Sequence, residues 1–199
     1  MSEDDDRADA LTVRECTRCA ALVESRSRIV DGTGDPDADA VFVGEAPGEY
    51  EDTEGEPFVG RSGDVLDDAL ADAGLTRAAV RITNCVRCRP PENRDPTDEE
   101  LANCREYLDR ELSAVDPVVV VALGKVPAEH LLGRSVAVTS EAGEVERVPL
   151  GGAERDVLVC VHPAATLYDP SQRDTFRATV ETAATMVGAE GGQSRLGEF

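Results

Sequence analysis

The chain has 199 residues and a formal net charge of −21, with 41 acidic residues against 20 basic ones, of which only Lys125 is a lysine. That length fits one domain with a full core, and the acidic start and strand-sized apolar runs argue against a signal peptide or a membrane span, so the cytoplasm is expected. Acidity spread over the polar faces suits concentrated salt, where self-repulsion is screened, and argues against binding nucleic acid through bulk charge.

In chain order, the acidic segment 1–10 reads as a mobile tail, followed by Cys16 and Cys19. A first apolar run, Ala40 to Val43, leads into GEAPGEYEDTEGEPFVGRSG, residues 44–63. Val65, Leu66, Ala69, Leu70 and Ala73 then form one helical face stopped by Gly74. The second run, Val80 to Thr83, ends at Asn84 and Cys85, with Cys88 close behind. A helix over 97–115 opens with the capping box Thr97 and Glu100 and carries Cys104. The third run, Val118 to Ala122, reaches Gly124 and a short helix over 125–132, and residues 134–150 are irregular with a hairpin as one option. The fourth run, Val157 to Val161, ends at His162, and a last helix spans 171–187 before a glycine-rich second tail, 188–199.

None of the four runs alternates polar with apolar residues, as expected for strands covered on both faces. Their alternation with helices predicts an α/β fold: over 11–187, a single-domain three-layer αβα sandwich around a central, mostly parallel four-stranded sheet. Such sheets bind ligands beyond the carboxyl ends of their strands. The unusual polar residues follow the runs there: GEAPG, Asn84, Gly124 and His162. An active site is therefore expected on that edge.

One stretch reverses the charge: residues 77–94 carry Arg77, Arg81, Arg87, Arg89 and Arg94 against Glu92. It reads either as a contact for an anionic ligand or as an ordinary arginine-rich surface. The cysteine spacing allows either of two structural metal centres, or none. A zinc site would use Cys16, Cys19, Cys85 and Cys88, and an iron–sulfur cluster would use Cys16, Cys19, Cys88 and Cys104. Cys160, inside the fourth run, reads as a core thiol.

GEAPGEYEDTEGEPFVGRSG, ITNCVRCRPPENRDP and VHPAA, in that order, resemble the family 4 uracil-DNA glycosylases over about residues 11–187. The resemblance implies a repair hydrolase, monomeric, that flips uracil out of single- or double-stranded DNA and hydrolyses its N-glycosidic bond. It also implies a structural 4Fe–4S cluster on Cys16, Cys19, Cys88 and Cys104, with Cys85 left out. By the same resemblance Phe58 stacks on the base, Asn84 reads its Watson–Crick edge, and His162 hydrogen-bonds the uracil O2. Glu45, Ala46 and Pro47 line the pocket, and His162, Glu45 and Glu51 form the catalytic set. Ala46 stands where family 1 enzymes carry an aspartate. Glu51 either excludes the thymine methyl or orders the water. Arg87, Arg89 and Arg94 are expected on DNA phosphates.

The chemistry agrees with these roles. A carboxamide held in one orientation matches the acceptor at uracil O4 and the donor at N3 and mismatches cytosine. An extruded base needs a surface on which to restack. The alternative is a non-catalytic iron–sulfur relative that binds DNA, although PPENRDP lacks the basic insert of one such subgroup. The final QSRLGEF offers too little to support a sliding-clamp contact.

Overall fold

A computed structural model describes residues 9–193. Most of the two expected tails therefore lies outside the described residues, and the last helix runs on to Gln193. The sheet has six strands in the order β1-β3-β2-β4-β6-β5. These are β1 (Thr33–Gly34), β2 (Ala40–Gly44), β3 (Arg81–Asn84), β4 (Val119–Leu123), β5 (Val145–Leu150) and β6 (Ala153–Cys160).

The four apolar runs are the parallel centre, β3-β2-β4-β6. The expectation of four strands is corrected by two antiparallel edges that make the sheet mixed: β1 on β3 and β5 on β6. Both edges escape a search for continuous apolar runs. β1 is two residues long, and β5 alternates exposed with partly covered positions, as an edge strand wet on one face does. The hairpin option for 134–150 proves correct in part, since β5 turns into β6 through Gly151 and Gly152, both at positive φ. A tight two-residue turn of that hand needs such residues.

Each face of the sheet carries helices because successive strand residues point to opposite sides. Phe42, Ile82, Val121 and Leu158 pack with Leu66 and Leu70 of α3 (Arg61–Asp72) and with Phe176 and Val180 of α8 (Gln172–Gln193). Val41, Val43, Val120 and Val159 pack with Leu108 and Leu112 of α4 (Asp98–Val115) and with Ala128 and Leu131 of α5 (Lys125–Leu132). The shorter helices are α1 (Ala20–Ser25), α2 (Glu49–Glu54), α6 (Val138–Glu141) and α7 (Ala165–Tyr168). The capping box forms as expected: Glu100 N donates to Thr97 Oγ1 at 3.2 Å, and Thr97 N donates to Glu100 Oε2 at 2.8 Å. A third, smaller cluster of Leu22, Val86, Cys88 and Cys104 lies apart from the two main layers.

Candidate active site

The carboxyl ends of β2, β3 and β6 meet at a cavity of about 660 Å³ lined by Glu45, Ala46, Glu51, Phe58, Asn84 and His162, among others. Six of the seven expected base-pocket and catalytic residues are thus brought together. The seventh, Pro47, is buried outside the lining.

Parallel pairing sets Asn84 beside Gly44 in register, and Asn84 is 3 % exposed. Gly44 is required by close approach. A Cβ there would sit 2.3 Å from Asn84 Oδ1 and 2.4 Å from Phe58 Cε2. Two cavity-lining side chains therefore converge on one backbone position that only hydrogen leaves free. The Asn84 carboxamide has no hydrogen-bond partner among the described residues, which leaves its donors and acceptor for a ligand.

Phe58 is buried and belongs to a main core layer while one side lines the cavity. Its backbone holds φ +54°, a left-handed conformation that costs a non-glycine residue energy and persists where the surroundings impose it. Those surroundings are visible. Arg77 donates through Nη2 to the Pro57 carbonyl, and Gly63 leaves room for the Phe58 carbonyl, 1.8 Å from where a Cβ would be. The loop is therefore pinned at its aromatic residue. The Phe58 and His162 rings lie 5.7 Å apart at 32°.

His162 follows β6, with its ring packed near Gly124. Ala164 N donates to His162 Nδ1 at 3.1 Å, so Nδ1 carries no proton. Burial pulls the imidazole down to about 4. At neutral pH the ring is therefore uncharged with its single proton on Nε2, a fixed donor that stabilises an oxyanion.

Glu45 is pushed up to about 7, first by burial and then by the charge and hydrogen bond of Asp95. A hydrogen bond between two carboxyls requires one of them to hold a proton, and a carboxyl that titrates near neutrality suits acid–base work. Burial also raises Glu51, while the Gly48 amide, donating to Glu51 Oε2 at 3.0 Å, opposes the rise and closes the first turn of α2. Of the two acids, Glu51 is anchored to backbone and Glu45 is held near neutrality.

The arginine stretch is neutralised where it stands. Arg87 is removed from the phosphate-contacting set: its side chain is 2 % exposed and is held by Asp31 at 3.1 Å and by Glu111, which also takes Arg81 Nε at 2.8 Å. Arg94 forms a bidentate pair with Glu100 at 2.7 and 2.8 Å. Arg89 donates to Asn93 at 2.7 Å and lies 3.7 Å from Glu49. Arg89 and Arg94 do reach the surface.

Among the residues at or beside the cavity that sequence reasoning missed are Tyr50, Arg61, Asn93, Asp95 and Tyr168. Only Asn93 carried a usable signal, as an asparagine in a proline-bounded turn, where it adopts φ +55°.

Cys16, Cys19, Cys88 and Cys104 line a second cavity with Leu22 and Arg26, although no three such side chains form a ready metal-ion site among the described residues. Three N–H groups point at the sulfurs. Arg26 Nη1 donates to Cys88 at 2.9 Å, the Arg87 amide to Cys104 at 3.4 Å, and Asn103 Nδ2 to Cys19 at 3.5 Å. Donors of this kind favour sulfur that carries negative charge, so the donor set fits a thiolate-ligated cluster. Cys85 is buried in the α4–α5 layer instead, which separates it from these four, and Cys160 packs in the opposite layer.

A three-layer α/β protein with a cavity at its carboxyl edge, walled by a free carboxamide, an aromatic ring and a neutral imidazole, offers the hydrogen-bonding groups and the stacking face that a nucleobase needs. The chain belongs to the uracil-DNA glycosylase superfamily, whose family model matches residues 32–184. It is 39 % identical over 180 residues to the type-4 uracil-DNA glycosylase of Archaeoglobus fulgidus, covering 88 % of this chain and 90 % of that one. It is also 39 % identical over 182 residues to the type-4 enzyme of Thermotoga maritima, covering 90 % and 93 %. With the type-5 enzyme of Pyrobaculum aerophilum it shares 33 % over 202 residues.

Proposed function

We propose that this chain is a type-4 uracil-DNA glycosylase that excises uracil from DNA and leaves an abasic site. The observation that carries the reading is the unpartnered Asn84 carboxamide, which converges with the ring of Phe58 on Gly44 at the cavity wall. Uracil extruded from the strand stacks on Phe58, and Asn84 accepts from N3–H and donates to O4. Cytosine, with the reverse pattern, leaves these buried groups unpaired.

As the bond from C1′ to N1 breaks, its electron pair leaves with the base and charge gathers on O2. His162 Nε2–H meets that charge without a proton changing hands. Ionised Glu45 stabilises the cationic sugar and takes a proton from the water whose oxygen adds to C1′. Glu51, held by the Gly48 amide, walls the pocket. Arg89 and Arg94 meet backbone phosphates by exchanging carboxylate partners. Cys16, Cys19, Cys88 and Cys104 would hold a 4Fe–4S cluster whose chemistry is structural, tying the N-terminal segment, the loop after β3 and α4 together.

The test is base release from labelled oligonucleotides in molar potassium chloride. Release of uracil and not thymine by a yellow-brown protein with about four irons per chain supports the proposal. A brown, folded protein that binds DNA and releases nothing supports the non-catalytic reading instead.

A further inference from the structure

Four large apolar side chains are notably exposed among the described residues: Val23, Tyr50, Val145 and Tyr168. The two aromatic ones, at 71 % and 85 % exposure, both line the mouth of the base cavity. Single exposed apolar residues are ordinary, but two rings on separate elements that converge on one rim are not. The chain has three tyrosines and no tryptophan. The third tyrosine, Tyr107, is elsewhere, covered by the guanidiniums of Arg18 and Arg110 at 4.8 and 5.3 Å.

Both rim tyrosines stand on fixed supports. Tyr50 lies in the first turn of α2, which the buried Asp52 ties to the Ser27 and Arg28 amides, and its ring rests over Gly60. Tyr168 ends α7, whose Thr166 hydroxyl donates at 2.8 Å to the carbonyl of Pro163, the residue that follows His162.

We propose that Tyr50 and Tyr168 form a stacking rim that grips the bases flanking the extruded nucleotide. The proposal rests on the uracil-excision reading and adds how the strand is held. Charge cannot supply most of the grip here. The net charge is −21, Arg89 and Arg94 are paired with carboxylates so that Arg61 alone of the arginines lines the cavity, and phosphate contacts weaken steeply as salt rises. Stacking on an aromatic ring releases no counterions and accepts any base, because every base has a π-face.

The experiment uses the full chain and its Tyr50→Ala, Tyr168→Ala, Tyr50→Phe and Tyr168→Phe variants. Affinity for a uracil-containing oligonucleotide is measured by anisotropy from low to molar potassium chloride, with 2-aminopurine beside the uracil as a stacking reporter. Both sites are exposed, so the variants fold as wild type does. Each alanine variant is expected to bind roughly tenfold more weakly at every salt concentration. The plot of log Kd against log salt should stay parallel to wild type, and 2-aminopurine quenching should be lost. The phenylalanine variants should keep both affinity and quenching.

Alanine variants that bind and quench like wild type overturn the inference, and so do phenylalanine variants as weak as alanine. Uracil release by wild type is followed in the same samples. A wild type that releases uracil while its tyrosine variants are unaffected defeats this inference alone; an inert wild type defeats the excision reading and this inference with it.

Discussion

Glu111 is the most consequential buried charge in the chain. It is 0 % exposed and joins two arginines, taking Arg81 Nε at 2.8 Å through Oε1 and Arg87 through Oε2. Glu111→Gln keeps the shape and removes the charge, so one guanidinium loses its acceptor, Arg81 loses its counter-ion and Arg87 keeps only Asp31. Breaking a buried pair of this kind costs about 3–5 kcal/mol. For a domain of this size each kcal/mol lowers Tm by about 2–4 °C, so the variant should melt roughly 6–20 °C below wild type. The loss should be nearly the same at low and molar salt, because a buried pair is little screened. It should also reach the site, since Arg87 lies between Asn84 and Cys88 and its amide donates to Cys104. Thermal unfolding followed by circular dichroism at two salt concentrations measures the effect. A melting temperature equal to wild type would refute the assignment of Arg87 to a buried structural network and return it to the DNA-contacting surface.

Gly44→Ala should cut the excision rate about a hundredfold with a far smaller change in Tm, because the methyl displaces the far ends of Asn84 and Phe58 and leaves the backbone in place; single-turnover kinetics and melting curves together check this. Asp95→Asn removes a charge and a hydrogen bond that raise Glu45, so the acid limb of the rate profile, expected near 7, should move to lower pH. Glu45 binds its proton more tightly folded than unfolded, so wild type loses stability as pH rises from about 4.5 to about 7, and Glu45→Gln should raise Tm at pH 8 but not at pH 4. Arg26→Ala removes the donor that joins Cys88 Sγ to the Cys16 carbonyl, and visible absorbance should bleach faster under a chelator than in wild type.

The sheet's parallel centre and the position of the site were legible for one physical reason. A strand buried on both faces leaves an unbroken apolar run, and the residue that ends it, such as Asn84 or His162, must face the binding edge. Edge strands leave no such mark: β1 is two residues long, and β5 alternates like any wet surface. Arg87 was misread because a local count of charges ignores partners distant in sequence, and its partners Asp31 and Glu111 lie 56 and 24 residues away. In the sequence Cys85 was separable from the proposed cluster ligands only by the resemblance, since its spacing to Cys88 repeats that of Cys16 and Cys19. Tyr50 and Tyr168 escaped notice because an exposed aromatic residue and a buried one look alike in a sequence until neighbouring elements decide which is covered.

Uracil release by Asn84→Ala, compared with wild type on the same labelled oligonucleotide in molar potassium chloride, tests the central claim most directly. Uracil release by wild type, lost in a variant that melts like it, is the predicted result. A folded Asn84→Ala variant that releases uracil at the wild-type rate would contradict the account, because the base would then be read by some other group.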